Sequence, residues 1–353
     1  MDKRIRVLIV DDSALMRLLL TKLLASDPEI DVVGTASDPL QASQKIEELS
    51  PDVLTLDVEM PHMDGLTFLA NLMKTHPLPV VMVSSLTQHG CETTIKALEL
   101  GAVDFFPKPT LQQLSISNGD AALELLTKVK IAASAHVVPQ EVNSSEALAA
   151  RLAPQQLMHQ VILIGASTGG TEAIREILTS LPPNIPGIVM VQHMPPGFTA
   201  SFAQRLDKLC AFRVKEAQDG DRVQPGLALL APGDFQTTLH RAYTGYYVQV
   251  QKSEPVNRHR PSVDALFNSA AESAKANSIA VLLTGMGEDG ARGLYQLRQA
   301  GAFTIAQDES TSVVFGMPRA AIALGAAEFV LPLPRIAREI IRLLESIQRP
   351  LSA

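Results

Sequence analysis

The feature that most constrains this chain is an alternation that runs through it twice: short β-rich runs, each followed by a stretch of helical period. In the first half the runs are Arg6–Val10, Asp31–Val33, Asp52–Leu56, Pro79–Val83 and Val103–Phe106. A strand that returns to the same sheet through a helix lies parallel to its predecessor, so the alternation predicts a five-stranded parallel sheet covered by helices. The segment after the first run places Leu15, Leu18, Leu19 and Leu23 on one apolar stripe, with Arg17 and Lys22 off it, a face fit to cover a sheet. The alternation restarts with Val161–Ile164, Gly187–Val191, Leu227–Leu230, Ile279–Leu283 and Ala302–Ala306. Between Gln236 and Lys252 two β-rich runs flank Thr244-Gly245 and read as a hairpin. The second half is therefore expected to be a doubly wound α/β unit carrying an antiparallel hairpin.

Residues 132–159 are rich in Ala, Ser and Gln, contain Pro139 and Pro154 and show no strand signal, which reads as a partly helical linker. The expected division is a first domain over 1–131, a linker over 132–159 and a second domain over 160–353. A length of 353 residues suits two cores better than one. The formal net charge of −7 leaves no broad basic surface for phosphates, so nucleic acid is not expected as a main partner. The apolar run before Asp11 is too short for a signal peptide or a membrane span, which predicts a cytoplasmic protein with no membrane insertion. Cys91 and Cys210 stand far apart without a CxxC neighbourhood and read as reduced thiols.

Open parallel sheets bind ligands outside the carboxyl ends of their strands. In the first half those ends carry Asp11 and Asp12, then Asp57, Ser84 and, beyond the fifth run, Lys108. Carboxylates gathered at one edge repel each other unless a cation sits among them, and hard oxygen ligands suit Mg²⁺. Lys108 is placed to pair with the remaining charge. This set resembles the response-regulator receiver domain, a flavodoxin-like fold, over residues 4–126. The resemblance implies that Asp57 is the phosphoacceptor, that Asp11, Asp12 and Asp57 hold Mg²⁺, and that Ser84 and Phe105 form the switch. Lys108, followed by Pro109, matches the lysine of that family. A histidine kinase is the implied phosphodonor.

In the second half Val161–Ile164 runs into Gly165-Ala-Ser167-Thr-Gly169-Gly170 and then a helical pattern. Ser167 thus sits on a strand-to-helix turn, where a helix amino terminus favours developing negative charge. A Gly-rich turn after a first strand serves equally as a dinucleotide cradle, and GxSxG alone leaves both readings open. A dinucleotide site wants an acid about 20 residues on, at the end of the next strand. His193 stands there instead. Among the histidines, His193 alone closely follows a fully apolar second-half strand; His159 precedes its strand, His240 falls in the hairpin and His259 lies between Arg258 and Arg260. Imidazole acting as base to a serine needs a carboxylate to fix its tautomer, and Thr284-Gly-Met286-Gly-Glu288-Asp289-Gly290 offers two adjacent acids beyond a strand end. Residue chemistry leaves Glu288 and Asp289 both open, and either would also serve as a helix cap.

Residues 160–347 resemble the catalytic domain of the protein-glutamate methylesterases, the CheB family. The motifs are Gly165–Gly170, Gln192–Pro195, Asn257–Asp264, Thr284–Gly290 and Val314–Pro318. The resemblance implies Ser167 as nucleophile, His193 as base, Asp289 as the orienting acid and the backbone N–H of Met286 as oxyanion donor, with no cofactor at that site. It implies glutamate γ-methyl esters of methyl-accepting chemotaxis receptors as substrates, with glutamine deamidation beside ester hydrolysis. The order Ser, His, Asp argues against the α/β-hydrolase fold. Ser262 also reads as a plain helix cap, and Val314–Arg319 as a turn and helix start. A receiver joined to a hydrolase predicts phosphorylation-activated access to Ser167. A non-catalytic receiver adaptor is the remaining alternative.

Overall fold

The computed structural model describes residues 4–60, 64–85, 87–108, 119–135 and 157–348. The chain forms two compact units, Met1–Val142 and Asn143–Ala353. Most of the expected linker, residues 136–156, lies outside the described residues, as does Pro109.

In the first unit β1 (Ile5–Val10), β2 (Ile30–Ala36), β3 (Val53–Asp57), β4 (Val80–Ser84) and β5 (Asp104–Pro107) form one sheet in the order β2-β1-β3-β4-β5. All its pairings are parallel. Every residue of β3 and β4 is buried, which explains why those runs read as continuous apolar segments rather than alternating ones. Among the described residues five helices alternate with or follow the strands: α1 (Ala14–Leu24), α2 (Pro39–Leu49), α3 (Gly65–Thr75), α4 (Gln88–Glu99) and α5 (Gly119–Ser134). The chain leaves β1 toward β2 on one side and returns to β3 on the other. The carboxyl ends of β1 and β3 therefore flank the crevice at which such sheets bind ligands.

The stripe expected on α1 is not the face it buries. Leu20 and Leu24 enter the core, whereas Leu15 and Leu18 are 61% and 63% exposed. Apolar residues occupy most of this helix's circumference, so periodicity alone selects no face. Arg17 fixes the rotation, because its guanidinium donates to the carbonyl oxygens of Asp11 (2.7 Å) and Asp12 (2.9 Å) at the end of β1.

The second unit is built on a seven-stranded sheet in the order β15-β14-β13-β6-β7-β10-β8. Its strands are β6 (Val161–Ala166), β7 (Gly187–Gln192), β8 (Arg213–Glu216), β10 (Leu227–Leu230), β13 (Ser278–Leu282), β14 (Phe303–Gln307) and β15 (Phe329–Leu331), all parallel. The hairpin expected around Thr244-Gly245 is present as β11 (Gln236–Arg241) and β12 (Tyr246–Gln251), and short β9 (Arg222–Val223) pairs beside it. The edge strands β8 and β15 are the two not expected from the sequence: β8 is mostly charged and β15, though apolar, is only three residues long and incompletely buried. Among the described residues the α-helices are α6 (Gly170–Ser180), α7 (Phe198–Leu209), α8 (Val263–Ser273), α9 (Ala291–Gln299), α10 (Met317–Ala323) and α11 (Leu333–Gln348). Strand β6 sits between β7 and β13, and the strand order reverses there. The loops after β6, β7 and β13 therefore meet at the switch point, and they carry Ser167, His193 and Asp289.

Candidate functional site

Ser167 follows β6 directly, on a turn pinned from three directions. Its N–H donates to the carbonyl of Thr284 (3.0 Å), and its own carbonyl accepts from the Gly170 N–H (2.7 Å) and from Gln192 Nε2 (2.8 Å). Two glycines allow this closeness. A Cβ at Gly170 would lie 2.2 Å from Gln192 Oε1, and one at Gly285 would lie 2.7 Å from the Ser167 Cβ. The turn leads into the amino terminus of α6, as its Gly-rich sequence predicts.

His193 stands one residue beyond the paired Ala166 and Gln192, with its N–H on the Ala166 carbonyl (3.1 Å). Its imidazole is 8% exposed, and Nε2 lies 2.8 Å from Asp289 Oδ2. The other ring nitrogen, Nδ1, is buried and has no hydrogen-bond partner among the described residues. A carboxylate can only accept, so Nε2 carries the proton and Nδ1 the lone pair.

Asp289 collects donors on both oxygens. Oδ1 accepts from Asn257 Nδ2 (2.7 Å), Ser262 Oγ (2.8 Å) and the Asp264 N–H (3.2 Å), while Oδ2 accepts from His193 and the Val263 N–H (2.7 Å). Burial opposes its charge, but the bonds and charge of His193, with those from Asn257 and Ser262, outweigh it and hold this carboxyl well below the usual carboxylate range. The backbone donors are the first amides of α8, so Asp289 also caps a helix, though not the one that follows it. Glu288, the neighbour that residue chemistry left open, is 67% exposed and faces Arg292 at 3.7 Å. Met286 lies on the same loop, 45% exposed as a residue, and its N–H has no hydrogen-bond partner among the described residues.

In the first unit the strand ends meet as expected. Lys108 Nζ lies 2.6 Å from Asp57 Oδ2 and 3.2 Å from Asp11 Oδ2. The contact to Asp11 lacks hydrogen-bonding geometry, which leaves that buried oxygen without a hydrogen bond. Carboxylate oxygens of Asp11, Asp12 and Asp57 all lie within 4.8 Å of one another. Burial pushes the Asp57 carboxyl up to about 6 against the pull of Lys108, and it raises Asp11 as well. Ser84 is buried at the end of β4 with its hydroxyl on the Gly90 carbonyl (3.2 Å). Phe105 is buried on β5, where the Lys128 ammonium lies 5.0 Å from its ring centroid and donates to its carbonyl (2.6 Å).

Known proteins match the chain in two blocks. The CheB methylesterase family matches residues 162–340, and the response regulator receiver domain matches residues 7–118. The chain belongs to the CheB methylesterase family. The protein-glutamate methylesterase/protein-glutamine glutaminase 2 of Bordetella avium (strain 197N) is 54% identical over 343 residues, which cover 96% of this chain and 97% of that one. A protein-glutamate methylesterase/protein-glutamine glutaminase of Nitrosomonas europaea is 51% identical over 347 residues, 96% of each. The crystal structure of the Thermotoga maritima CheB methylesterase catalytic domain is 45% identical with a TM-score of 0.51, covering 52% of this chain and 98% of that one.

The structure brings Ser167, His193, Asp289 and Met286 to one sheet edge of this CheB family member, and Asp11, Asp12, Asp57 and Lys108 to one edge of its receiver. Several contributors had no assigned catalytic-site role in the sequence. Asn257 and Ser262 hold Asp289, Gln192 holds the Ser167 turn, and His259 packs on His193. Ser262 is a helix cap and an Asp289 donor at once. Val314–Arg319 is more than a helix start: Gly285 pairs with Phe315, and the Met317 N–H donates to the Gly285 carbonyl (2.8 Å), which fixes the loop carrying Met286. A signal for these residues lay in the motif blocks, but nothing in a linear spacing assigns a partner 25 or more positions away.

Proposed function

We propose that the second domain, over residues 160–353, hydrolyses glutamate γ-methyl esters on methyl-accepting chemotaxis receptors and deamidates glutamine by the same route. The observation that carries this reading is the His193 ring, bonded to Asp289 through Nε2 with Nδ1 buried and without a hydrogen bond among the described residues, on a strand end whose backbone N–H bonds the residue before Ser167. Ser167 Oγ attacks the ester carbonyl while Nδ1 takes its proton, and the ionised Asp289 supports the imidazolium that forms. The Met286 N–H, without a partner among the described residues, stabilises the oxyanion. The imidazolium returns its proton to the leaving methoxide, releasing methanol and leaving an acyl-enzyme. Water, deprotonated by His193, then frees the glutamate. With glutamine as substrate the leaving group is ammonia.

The first domain, over residues 1–131, is read as the control element, joined by a linker over residues 132–159. A chemotaxis histidine kinase donates the phosphoryl group to Asp57, and Ser84, Phe105 and Lys108 relay the change. The buried Asp11 oxygen without a hydrogen bond and the three converging carboxylates suit a divalent cation. Asp11, Asp12 and Asp57 would hold Mg²⁺, which when bound offsets the negative charge of the transferring phosphoryl group. Lys108, 2.6 Å from Asp57 and 3.2 Å from Asp11, offsets part of their charge before phosphorylation. Among the described residues no helix is long and apolar enough to cross a membrane, and a cytoplasmic enzyme acting on the cytoplasmic helices of receptors is the proposed setting.

A serine-directed fluorophosphonate should label Ser167 in the wild-type chain, and methylated receptor membranes should release methanol on its addition. Absence of both labelling and methanol release would remove the serine hydrolase reading.

A further inference from the structure

The imidazole of His193 has a neighbour that the proposed chemistry does not use. His259 lies against it with ring centroids 3.8 Å apart and planes inclined by 9°. A tight turn delivers it there. Val256 and His259 exchange two backbone hydrogen bonds of 3.1 and 2.8 Å, and the residues between them, Asn257 and Arg258, both have positive φ, 51° and 68°. Asparagine tolerates that backbone, whereas arginine is disfavoured in it. The turn is nonetheless pinned, because the Asn257 amide donates to both Asp289 Oδ1 and Asp264 Oδ2 at 2.7 Å. One short turn therefore touches the imidazole with one residue and the carboxylate behind it with another.

Asp289 fixes the His193 ring through Nε2 alone, and a ring held at one nitrogen is free to rock about that bond. Nδ1 has no hydrogen bond to stop it. A parallel ring in van der Waals contact restricts this rocking, since tilting either ring breaks the stack. We propose that His259 is a positioning residue whose flat face holds the plane of the His193 imidazole, keeping the Nδ1 lone pair turned to Ser167. This inference rests on His193 being the base.

The test uses the full-length, phosphorylated protein and methanol release from methylated receptor membranes. His259→Ala should lower kcat on the order of 10²-fold, the scale of a misaligned reacting group, with KM close to wild type. His259→Phe restores a flat ring and should recover most of the rate. His259→Leu fills similar space without a flat face and should stay slow. Fluorophosphonate labelling of Ser167 should slow in parallel with kcat in the Ala and Leu variants. If His259→Ala does not fold, the Phe and Leu pair decides alone, with their thermal transitions as the check on folding. Wild-type kcat in His259→Leu, equal rates in the Phe and Leu variants, or a loss confined to KM would overturn the proposal. A wild-type chain that is not labelled at Ser167 overturns the serine hydrolase reading instead.

Discussion

Asp289 is held ionised by its surroundings before any substrate arrives, and this sets what its replacement should do. Asp289→Asn keeps the shape but offers an amide where the His193 proton is received, favouring the wrong tautomer, and should cut kcat by about 10⁴. Glu288→Gln removes only a solvent-facing charge and should leave the rate near wild type; the two kcat values, measured side by side, tell which acid is used. Ser167→Ala and His193→Ala should each cost on the order of 10⁵ to 10⁶ in kcat. Retention of more than about a tenth of the wild-type rate by Ser167→Ala would falsify its role as nucleophile. The same carboxyl carries a pH signature. Its folded-state pKa is depressed, so its contribution to stability is complete above the unfolded value of about 3.9 and is lost as pH falls below it. Buried Asp264 is shifted the opposite way, first by burial, and gains rather than loses stability on protonation. Unfolding by denaturant across acid pH should therefore show a shallower acid loss in Asp289→Asn than in wild type.

At the scale of elements, the turn between β6 and α6 is set by a side chain from β7. Gln192 occupies the space that a Cβ at residue 170 would need, so Gly170→Ala must displace either Gln192 or the turn. A cost of about 1–3 kcal/mol is expected, the scale of overpacking a tight interior, together with a fall in kcat because Ser167 moves with the turn. Thermal unfolding and methanol release read the two effects separately. In the receiver, the ends of β1 and β3 gather carboxylates whose mutual repulsion Lys108 only partly offsets. Acetyl phosphate with Mg²⁺ should add one phosphoryl group at Asp57, and a chelator should prevent it. An undiminished phosphoryl adduct in the intact mass of Asp57→Ala would place the acceptor elsewhere.

For the whole molecule, the two units each have their own sheet and core, which predicts that the second retains its activity when separated from the first. A fragment beginning near Gln155 should release methanol faster than the unphosphorylated full chain and ignore acetyl phosphate. The full chain should accelerate on phosphorylation, and Asp57→Ala should remain slow. Equal rates for the fragment and the unphosphorylated chain would exclude restraint by the receiver and leave activation by phosphorylation-dependent contacts.

The sequence by itself determined the first parallel sheet, the five inner strands of the second and the strand ends on which Asp11, Asp57, Ser167 and His193 stand. Strand and helix periods are local, and a parallel sheet places its loops at one edge whatever the details of packing. Which residues complete the site was decided by the tertiary structure. Glu288 and Asp289 are adjacent in the chain, and only the bonds from Asn257, Ser262, Val263 and Asp264, 25 to 32 positions away, separate a buried acceptor from an exposed acid. The rotation of α1 was likewise undetermined by a helix apolar nearly all round until Arg17 bound the end of β1. His259 offered no local signal, because a ring stack needs two surfaces and the second belongs to a strand end 66 positions earlier, at His193. Local pattern fixes which face a residue presents; which neighbour it meets there depends on distant chain that only the folded core brings to it.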